Sequence, residues 1–311
     1  MEKKKRKRTF RRLGSLILLL FFMMLVKPVQ ASSDIDLEKK SQLTIQYVVE
    51  NAEFSLYKVA NVDKKVTFTP TEAFKEYPVI MNDLDAEGFK LLADTLAAYV
   101  ERDKIEPISQ KLTNEDNQIV WDELTVGLYL VIGEAVTDEN GIKYIPSASL
   151  ICLPNRADDT TWNYAPTIHL KYTNEFEEDL LKDIIDYKVV KVWKDSSQKE
   201  ERPQSVTIQL LQDGELFDTV VLNKDNSWTY LWEGLNNAYS WSVVEKDVPD
   251  GYTVTTTLEQ QTFIVTNTAE KIEISGDDNM IPQTGQLWWP IPILTMIGMV
   301  FFLLGWVRRK S

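Results

Sequence analysis

Residues 205–214 read SVTIQLLQDG, and this stretch decides the fold that the sequence predicts. Apolar and polar residues alternate over 206–210, which is the pattern of a β-strand with one buried face. Asp213-Gly214 then gives a hairpin signal, because this pair accepts the left-handed backbone of a tight turn. The stretch therefore predicts a strand that turns back into a second strand.

More strand candidates surround this hairpin in the segment 185–270, the second unit. They are rich in β-branched and aromatic residues and are separated by turn residues. They cover residues 189–193, 217–222, 227–231, 239–244, 252–257 and 262–268. About seven short strands without a helical period predict a small β-sandwich.

Residues 34–175, the first unit, are larger and less regular. Apolar strand candidates cover residues 43–47, 54–59, 127–132 and 149–153. Within 86–100, apolar residues recur at helical spacing and predict one helix, although Gly88 weakens its start. Residues 138–141 (DENG) predict a turn between strands. We therefore predict a mainly β chain of two tandem β-sandwich domains, the first with a helical insertion.

The two units are joined by the acidic stretch NEFEEDLLKDIID at 174–186. We assign its centre, residues 176–184, as a linker. The alternative for this stretch is one helical turn or more.

Composition excludes several classes of function. The chain of 311 residues has one Cys and one His, so it cannot build a Cys/His zinc cluster or an intramolecular disulfide. A Ser-His-Asp site would have to use His169, which has no evident catalytic partners. The formal net charge of −13 argues against a nucleic-acid partner. Phosphate loops, dinucleotide fingerprints and calcium loops are also missing from the sequence, so we predict no cofactor, no metal and no enzymatic activity.

The N-terminus has the three parts of a secretory signal peptide. A basic head precedes a short apolar run at 13–26, and the small-residue site Val29-Gln30-Ala31 follows. We predict that residues 1–31 are removed by cleavage between Ala31 and Ser32. The alternative is an uncleaved membrane anchor, for which the apolar run is short.

A second apolar run, at 287–307, is long enough to cross a bilayer as a transmembrane helix. A basic tail at 308–311 follows it, and positive charge keeps such a tip in the cytoplasm. Trp288 and Trp289 lie where an aromatic interfacial belt is expected. The body of the protein is therefore predicted to lie outside the cell, tethered at its C-terminus.

A pentapeptide precedes this run and consists of Ile281, Pro282, Gln283, Thr284 and Gly285. The pentapeptide, the apolar run and the basic tail together resemble the LPxTG cell-wall sorting signal of Gram-positive surface proteins, with isoleucine in place of leucine. The resemblance implies that a sortase cuts between Thr284 and Gly285. The Thr284 carbonyl is then joined to an amine of peptidoglycan or of another subunit. Residues 271–280 are accordingly assigned as a linker through the wall.

The second unit carries several short motifs in a fixed order. They are Lys191-Val-Trp193-Lys-Asp195, Arg202-Pro203, the stretch 206–214, and Trp228 with Tyr230. Together they resemble the B-type repeat of collagen-binding adhesins (the Cna B-type domain), which implies an immunoglobulin-like sandwich. The stretch 241–252, with Glu245 and Pro249, is similar to the E-box of Gram-positive pilins. Residues 263–268 resemble the terminal strand of the repeat.

Three residues of the second unit have the chemistry of an internal isopeptide bond. Burial disfavours the charged forms of Lys191 and Glu245, which leaves a nucleophilic amine and a proton-donating carboxyl. Attack of the Lys191 amine on the Asn267 side chain would release ammonia and leave a Lys–Asn amide. The resemblance implies the same roles for Lys191, Asn267 and Glu245. The alternatives are a solvent-facing strand lysine and a turn asparagine.

In the first unit, Gln46 stands at the corresponding lysine position, and Glu134 falls one residue late for an E-box. We therefore predict no isopeptide bond there, and we predict that Lys58 is an exposed strand residue. The unit resembles the N-terminal domain of small pilin subunits, in which a helical insertion decorates a related sandwich.

The first unit ends with WNYAPTIHLK at 162–171. This segment resembles the pilin motif WxxxVxVYPK in its tryptophan, one β-branched position and the final lysine. Pro166, His169 and Leu170 depart from the motif. The resemblance implies that Lys171 is the amine that a pilin sortase joins to an incoming subunit. The alternative is an ordinary surface lysine.

Cys152 lies in the apolar strand candidate 149–153. Free cysteine in such a strand behaves as a small apolar residue, so we predict a core position. The alternative is one half of a Cys–Gln thioester of the kind that some surface adhesins use.

These features together predict a structural surface protein, the basal or minor subunit of a Gram-positive pilus. Its predicted partners are a sortase, peptidoglycan and a shaft pilin, with a host surface ligand as a further candidate. The alternative is a stand-alone wall-anchored adhesin. A wall-anchored enzyme is disfavoured, because the sequence shows no catalytic constellation.

Overall fold

The computed structural model describes residues 34–156, 161–176, 184–195 and 202–269. Within these residues the chain is mainly β, with strands β1 to β20 and one α-helix, as predicted. The predicted signal peptide at 1–31, sorting motif at 281–285, transmembrane helix at 287–307 and basic tail lie outside the described residues. In the described part, no helix is both long enough and apolar enough to span a bilayer.

In its described residues, the first unit has one helix and thirteen strands. They are β1 (Ser41–Gln46), β2 (Glu53–Val62), β3 (Phe68–Pro70), β4 (Ser109–Leu112), β5 (Gln118–Leu124), β6 (Gly127–Gly133), β7 (Val136–Thr137), β8 (Ile142–Pro146), β9 (Ser149–Leu153), β10 (Asn155–Arg156), β11 (Trp162–Asn163), β12 (Thr167–His169) and β13 (Tyr172–Phe176). One main sheet has the order β12-β1-β5, and the other has the order β3-β2-β6-β9 with β4 on β2. Two smaller sheets, β10-β11 and β13-β8-β7, complete the unit.

The sheet that contains β6 is buried on both faces. Tyr129 and Val131 face the β12-β1-β5 sheet, while Leu128 and Leu130 face the helix. A strand with two buried faces reads as a continuous apolar run, which explains the sequence GLYLVI at 127–132.

The helix α1 spans Ala86–Asp103 and extends further at its C-terminal end than predicted. The side chain of Asp85 caps its N-terminus by accepting a 2.8 Å hydrogen bond from the backbone N–H of Gly88. Such a cap contributes about 1 kcal/mol, comparable to the cost of a glycine in the first turn. Lys104, with a left-handed φ of 51°, ends the helix.

The second unit contains all seven predicted strands. They are β14 (Ile184–Lys194), β15 (Ser205–Gln212), β16 (Glu215–Asn223), β17 (Thr229–Asn236), β18 (Trp241–Glu245), β19 (Tyr252–Glu259) and β20 (Thr262–Ala269). They form two sheets, β17-β14-β20-β19 and β16-β15-β18, which enclose a common apolar core. Asp213 and Gly214 have positive φ angles and form the predicted tight turn between β15 and β16.

The ends of the predicted linker 176–184 are strand residues, because β13 reaches Phe176 and β14 begins at Ile184. Residues 177–183 lie outside the described ranges. The predicted turn at 138–141 is present between β7 and β8, where Asp138 accepts hydrogen bonds from the backbone of Asn140 and Ile142. Both units belong to one compact body.

Candidate isopeptide site and linkage residues

Lys191 and Asn267 lie on neighbouring parallel strands of the second unit. β14 and β20 pair so that Lys191 is opposite Val265 and Trp193 is opposite Asn267. Residues two apart in a strand share a face, so the Lys191 and Asn267 side chains are diagonal neighbours on the inner face. Their relative exposures are 5% and 0%. The alternatives of a solvent-facing lysine and a turn asparagine do not fit this placement.

Glu245 reaches the same point from the opposite sheet. It is the last residue of β18, where it pairs with Ile208 of β15. Its Oε1 accepts a 3.0 Å hydrogen bond from Nδ2 of Asn267. Its Oε2 lies 3.5 Å from Nζ of Lys191, and both of these side chains are fully buried. One carboxyl group therefore bridges the amine and the carboxamide.

Burial shifts both ionisable groups toward their neutral forms. It lowers the pKa of Lys191 to about 8, against the opposing effect of the Glu245 charge. It raises the pKa of Glu245, against the opposing effect of the Lys191 charge. An ion pair closed off from solvent loses the hydration of both charges, whereas a neutral amine beside a protonated carboxyl does not. Burial therefore moves both groups toward the protonation states that nucleophilic attack requires.

Two polar atoms of the site have no hydrogen-bond partner in the described part of the chain: Oε2 of Glu245 and Oδ1 of Asn267. Half a turn of the Asn267 amide exchanges Oδ1 with Nδ2, which lies 3.0 Å from Oε1 of Glu245. In that orientation a protonated Glu245 donates to the Asn267 carbonyl oxygen. The same contact then polarises the carbonyl toward attack by the amine.

Trp193 forms one wall of the site. Its ring centroid lies 4.3 Å from Nζ of Lys191, and the guanidinium carbon of Arg202 lies 5.4 Å from the same centroid. Arg202 makes a two-pronged ion pair with Asp195, whose side chain is fully buried and also accepts a 3.1 Å hydrogen bond from the hydroxyl of Tyr252. Arg202 thus neutralises a buried carboxylate near the reacting amine.

The sequence identified Asp195 and Arg202 only as motif residues, and their ion pair was missed. Nothing in the spacing of the two residues shows that the chain returns to place the guanidinium beside the carboxylate. Trp241, Val243 and Phe263 are all buried in the apolar core of the second unit.

The first unit places different groups at the corresponding positions. β1 and β12 are parallel, as β14 and β20 are, and Gln46 lies opposite His169. The Gln46 side chain accepts a 2.7 Å hydrogen bond from Gln118 and donates to nearby backbone carbonyls. Glu134 is exposed. These two positions therefore do not combine a buried amine with a buried carboxyl.

Lys58 is half-buried, and the prediction of an exposed side chain is wrong. It lies on β2, and its stem runs over Gly127 of the neighbouring strand β6, where the absence of a side chain leaves room for it. Its Nζ donates a 2.8 Å hydrogen bond to the hydroxyl of Thr125. Burial lowers the pKa of Lys58.

Lys171 lies in the short connection between β12 and β13, and its side chain is exposed. Its backbone carbonyl accepts a 2.9 Å hydrogen bond from the N–H of Ser147, which fixes the chain at this point. Pro166 and Leu170, two of the departures from the pilin motif, are buried. Lys171 also borders a cleft of about 940 Å³ that α1 and β9 help to line. Its amine is therefore reachable by a second protein.

Cys152 is a free, partly buried residue of β9 that packs against the apolar cluster beneath α1. Burial raises the pKa of its thiol to about 11, which disfavours the reactive thiolate. His169 is exposed on β12. Among the residues described, no three His, Cys, Asp or Glu side chains are grouped to hold a metal ion.

Comparison with known proteins gives a family match for the second unit. Residues 187–268 match the model of the Cna protein B-type domain. The chain is also 33% identical over 99 residues to a collagen adhesin of Staphylococcus aureus, an alignment that covers 29% of this chain and 8% of the adhesin. The chain thus spans only a small part of the relative that it matches. The predicted resemblance to the B-type repeat is confirmed.

Solved structures give weaker alignments. A single B repeat unit of the S. aureus collagen-binding protein aligns at 16% identity and a TM-score of 0.27, covering 75% of this chain and 98% of that one. The major pilin SpaD of Corynebacterium diphtheriae aligns at 12% identity and a TM-score of 0.28, covering 76% and 99%. The minor pilin GBS52 of Streptococcus agalactiae aligns at 16% identity and a TM-score of 0.23, covering 78% and 99%. TM-scores this low do not establish a shared overall arrangement.

Proposed function

We propose that this chain is a structural protein of the Gram-positive cell surface, whose Cna B-type domain is locked by an isopeptide bond between Lys191 and Asn267. The enclosed arrangement of these two residues around Glu245 carries the proposal. Burying an ionisable amine costs stability, whereas its conversion into a neutral amide removes that cost and ties the first strand of the domain to the last.

The proposed reaction uses only groups of this chain. The neutral Nζ of Lys191 attacks Cγ of Asn267 while Glu245 protonates the carbonyl oxygen. Glu245 then takes a proton from the attacking nitrogen and passes it to Nδ2, which leaves as ammonia when the carbonyl re-forms and its oxygen returns a proton to Glu245. The products are a Lys–Asn amide and ammonia, and Glu245 ends protonated, as it began. The protein therefore modifies itself once and is not an enzyme.

We further propose that the chain is the basal or minor subunit of a pilus. Such a subunit needs two covalent connections, one to the wall and one to the shaft. The sequence of the sorting motif supports Thr284 as the wall connection, with a sortase and peptidoglycan as partners. The exposure of Lys171 supports it as the connection to a shaft pilin. No cofactor or metal takes part.

A stand-alone adhesin for a host surface ligand is the second candidate, which the match to a collagen adhesin favours. Immunoblots of wall extracts separate the two. A pilus subunit appears as a ladder of high-mass species that disappears when the pilin-specific sortase gene is deleted. A single wall-linked band, unchanged by that deletion, would instead establish the adhesin.

A further inference from the structure

The second unit is open along one side, where β18 and β19 are the edge strands of its two sheets. The first unit packs over this opening, although Ser242 and Thr257 of the two edge strands also line the cleft that Lys171 borders. The N–H of Thr256 on β19 donates a 2.8 Å hydrogen bond to the hydroxyl of Thr95 on α1. The N–H of Val254 donates a 2.9 Å bond to the carbonyl of Pro78. Edge groups that would face water or another chain are thus satisfied by the first unit.

Polar contacts hold α1 against both edge strands. Ser242 on β18 donates a 2.8 Å hydrogen bond to Glu101, and Thr257 on β19 donates a 3.1 Å bond to Asp94. Ser242 lies on the same short strand as Glu245. The helix is therefore fixed beside the strand that supplies the carboxyl of the proposed bond.

Tyr99 of α1 belongs to the apolar core of the second unit, and only 3% of it is exposed. The same core contains Val243 and Val265, which lie two residues before Glu245 and Asn267 on the same inward faces. Burial raises the pKa of the Tyr99 hydroxyl, and the Glu245 charge adds to the rise. Tyr99 therefore lies within electrostatic range of the site.

We infer that α1 is a closing element for isopeptide formation, and that Tyr99 is its positioning residue. By sealing the opening between β18 and β19, the helix excludes water from Lys191, Glu245 and Asn267. The bond then forms rapidly only after the first unit has folded against the second. This inference rests on the proposed isopeptide bond.

The pH dependence of bond formation follows from the protons that the pair holds. The neutral pair and the ion pair carry the same number of protons, so the rate is constant between the two pKa values of the coupled pair. If water enters through the opening between β18 and β19, it stabilises the ion pair, which lowers the pKa of Glu245 and raises that of Lys191. The pH range over which the rate is constant then becomes wider, and the rate within that range becomes lower. Asp195 and Arg202, the other charged groups near the amine, stay in place.

The test follows ammonia loss with time by intact mass spectrometry in recombinant residues 32–284. The chain is made by cell-free translation, translation is then stopped, and the product is diluted into buffers that range from acid to alkaline pH. Tyr99→Ala should slow the loss about tenfold or more, since one unit of pKa shift is a factor of ten. It should also move the alkaline limit of the plateau upward. Tyr99→Phe, which keeps the ring, should restore most of the rate.

Leu96→Ala is the matched control, because Leu96 is on the same helix but packs into the core of the first unit. The inference would be overturned if Leu96→Ala and Tyr99→Ala slowed ammonia loss equally. It would also be overturned if Tyr99→Ala lost ammonia as fast as the chain without substitutions. If Tyr99→Ala does not fold, the double variant Thr95→Val with Ser242→Ala decides. Slowed loss in that variant supports the inference, and an unchanged rate removes it. If the chain without substitutions never loses ammonia, the proposed bond itself is refuted.

Discussion

Asn267 and Glu245 belong to opposite sheets of the sandwich, yet Nδ2 of Asn267 donates a 3.0 Å hydrogen bond to Oε1 of Glu245. The other oxygen of Glu245 faces the Lys191 amine at 3.5 Å. The carboxyl is therefore the only contact described that joins both reacting groups across the core. Removing it is expected to disable the site without removing either end of the proposed bond.

We expect Lys191→Ala and Glu245→Ala to abolish the loss of one ammonia from the intact mass of residues 32–284. Both variants should also melt at lower temperature. By analogy with a disulfide that closes a long loop, the bond contributes about 4–5 kcal/mol to the free energy of unfolding. Lys188→Ala, at an exposed position of the same strand, is the control and should keep the lowered mass. An unmodified mass in the parent chain would contradict the prediction.

Arg202→Ala should slow bond formation. The guanidinium holds the pKa of Asp195 below its usual range, and it also lowers the pKa of Lys191. Without it, the unpaired Asp195 carboxylate raises the pKa of Lys191, so the amine stays protonated to higher pH. The rate plateau should therefore extend upward in pH while its height falls. Arg202→Lys keeps one positive charge, so its rate of bond formation should lie between those of the parent chain and Arg202→Ala. An unchanged pH profile of the rate in Arg202→Ala would refute this role of Arg202.

Lys171→Arg should abolish joining to the shaft subunit while the wall linkage remains. The exchange keeps the positive charge but removes the primary amine that an acylated sortase needs. Immunoblots of wall extracts measure the outcome as loss of the ladder with retention of the lowest wall-linked band. Lys143→Arg is the control on the neighbouring strand β8. If peptide mapping finds the branch at Lys143 or Lys58, Lys171 is not the acceptor lysine, but the proposal that the chain is a pilus subunit still stands.

Thr284→Ala should leave the protein in the membrane or the medium instead of the wall. The threonine carbonyl is the group that the proposed sortase reaction transfers, so its replacement stops the reaction before any linkage forms. Fractionation of cells followed by immunoblotting measures the distribution. A variant still released only by peptidoglycan hydrolases would show that the sorting interpretation is wrong.

Cys152 should react slowly with iodoacetamide at neutral pH in the folded chain. Its thiol pKa of about 11 leaves little thiolate, and the partly buried side chain restricts access. Intact mass after timed exposure measures the modification, and the denatured chain serves as the control. Adduct formation with methylamine in the folded chain would instead support the thioester alternative.

Much of the fold was predictable because its signals are local. Alternation over 206–210 and the Asp213-Gly214 turn predicted the β15–β16 hairpin, which the structure contains. The helix was also predicted, but its true end at Asp103 depends on the left-handed Lys104, which periodicity does not reveal. Lys58 was wrongly predicted because alternation shows which residues share a face of a strand, but not that the lysine stem lies over Gly127 and its amine bonds to Thr125.

The sequence by itself determined the strands of the second unit, its resemblance to the Cna protein B-type domain, and the residue types of the proposed bond. These depend on short-range periodicity, turn chemistry and motif order. Only the tertiary structure decided that Arg202 pairs with Asp195 and that α1 contacts the strand that carries Glu245. Glu101 and Ser242 are 141 residues apart, and Asp195 and Arg202, only 7 residues apart, meet because the chain turns back between them. Their energy depends on which buried surfaces meet, and no local pattern of residues encodes that.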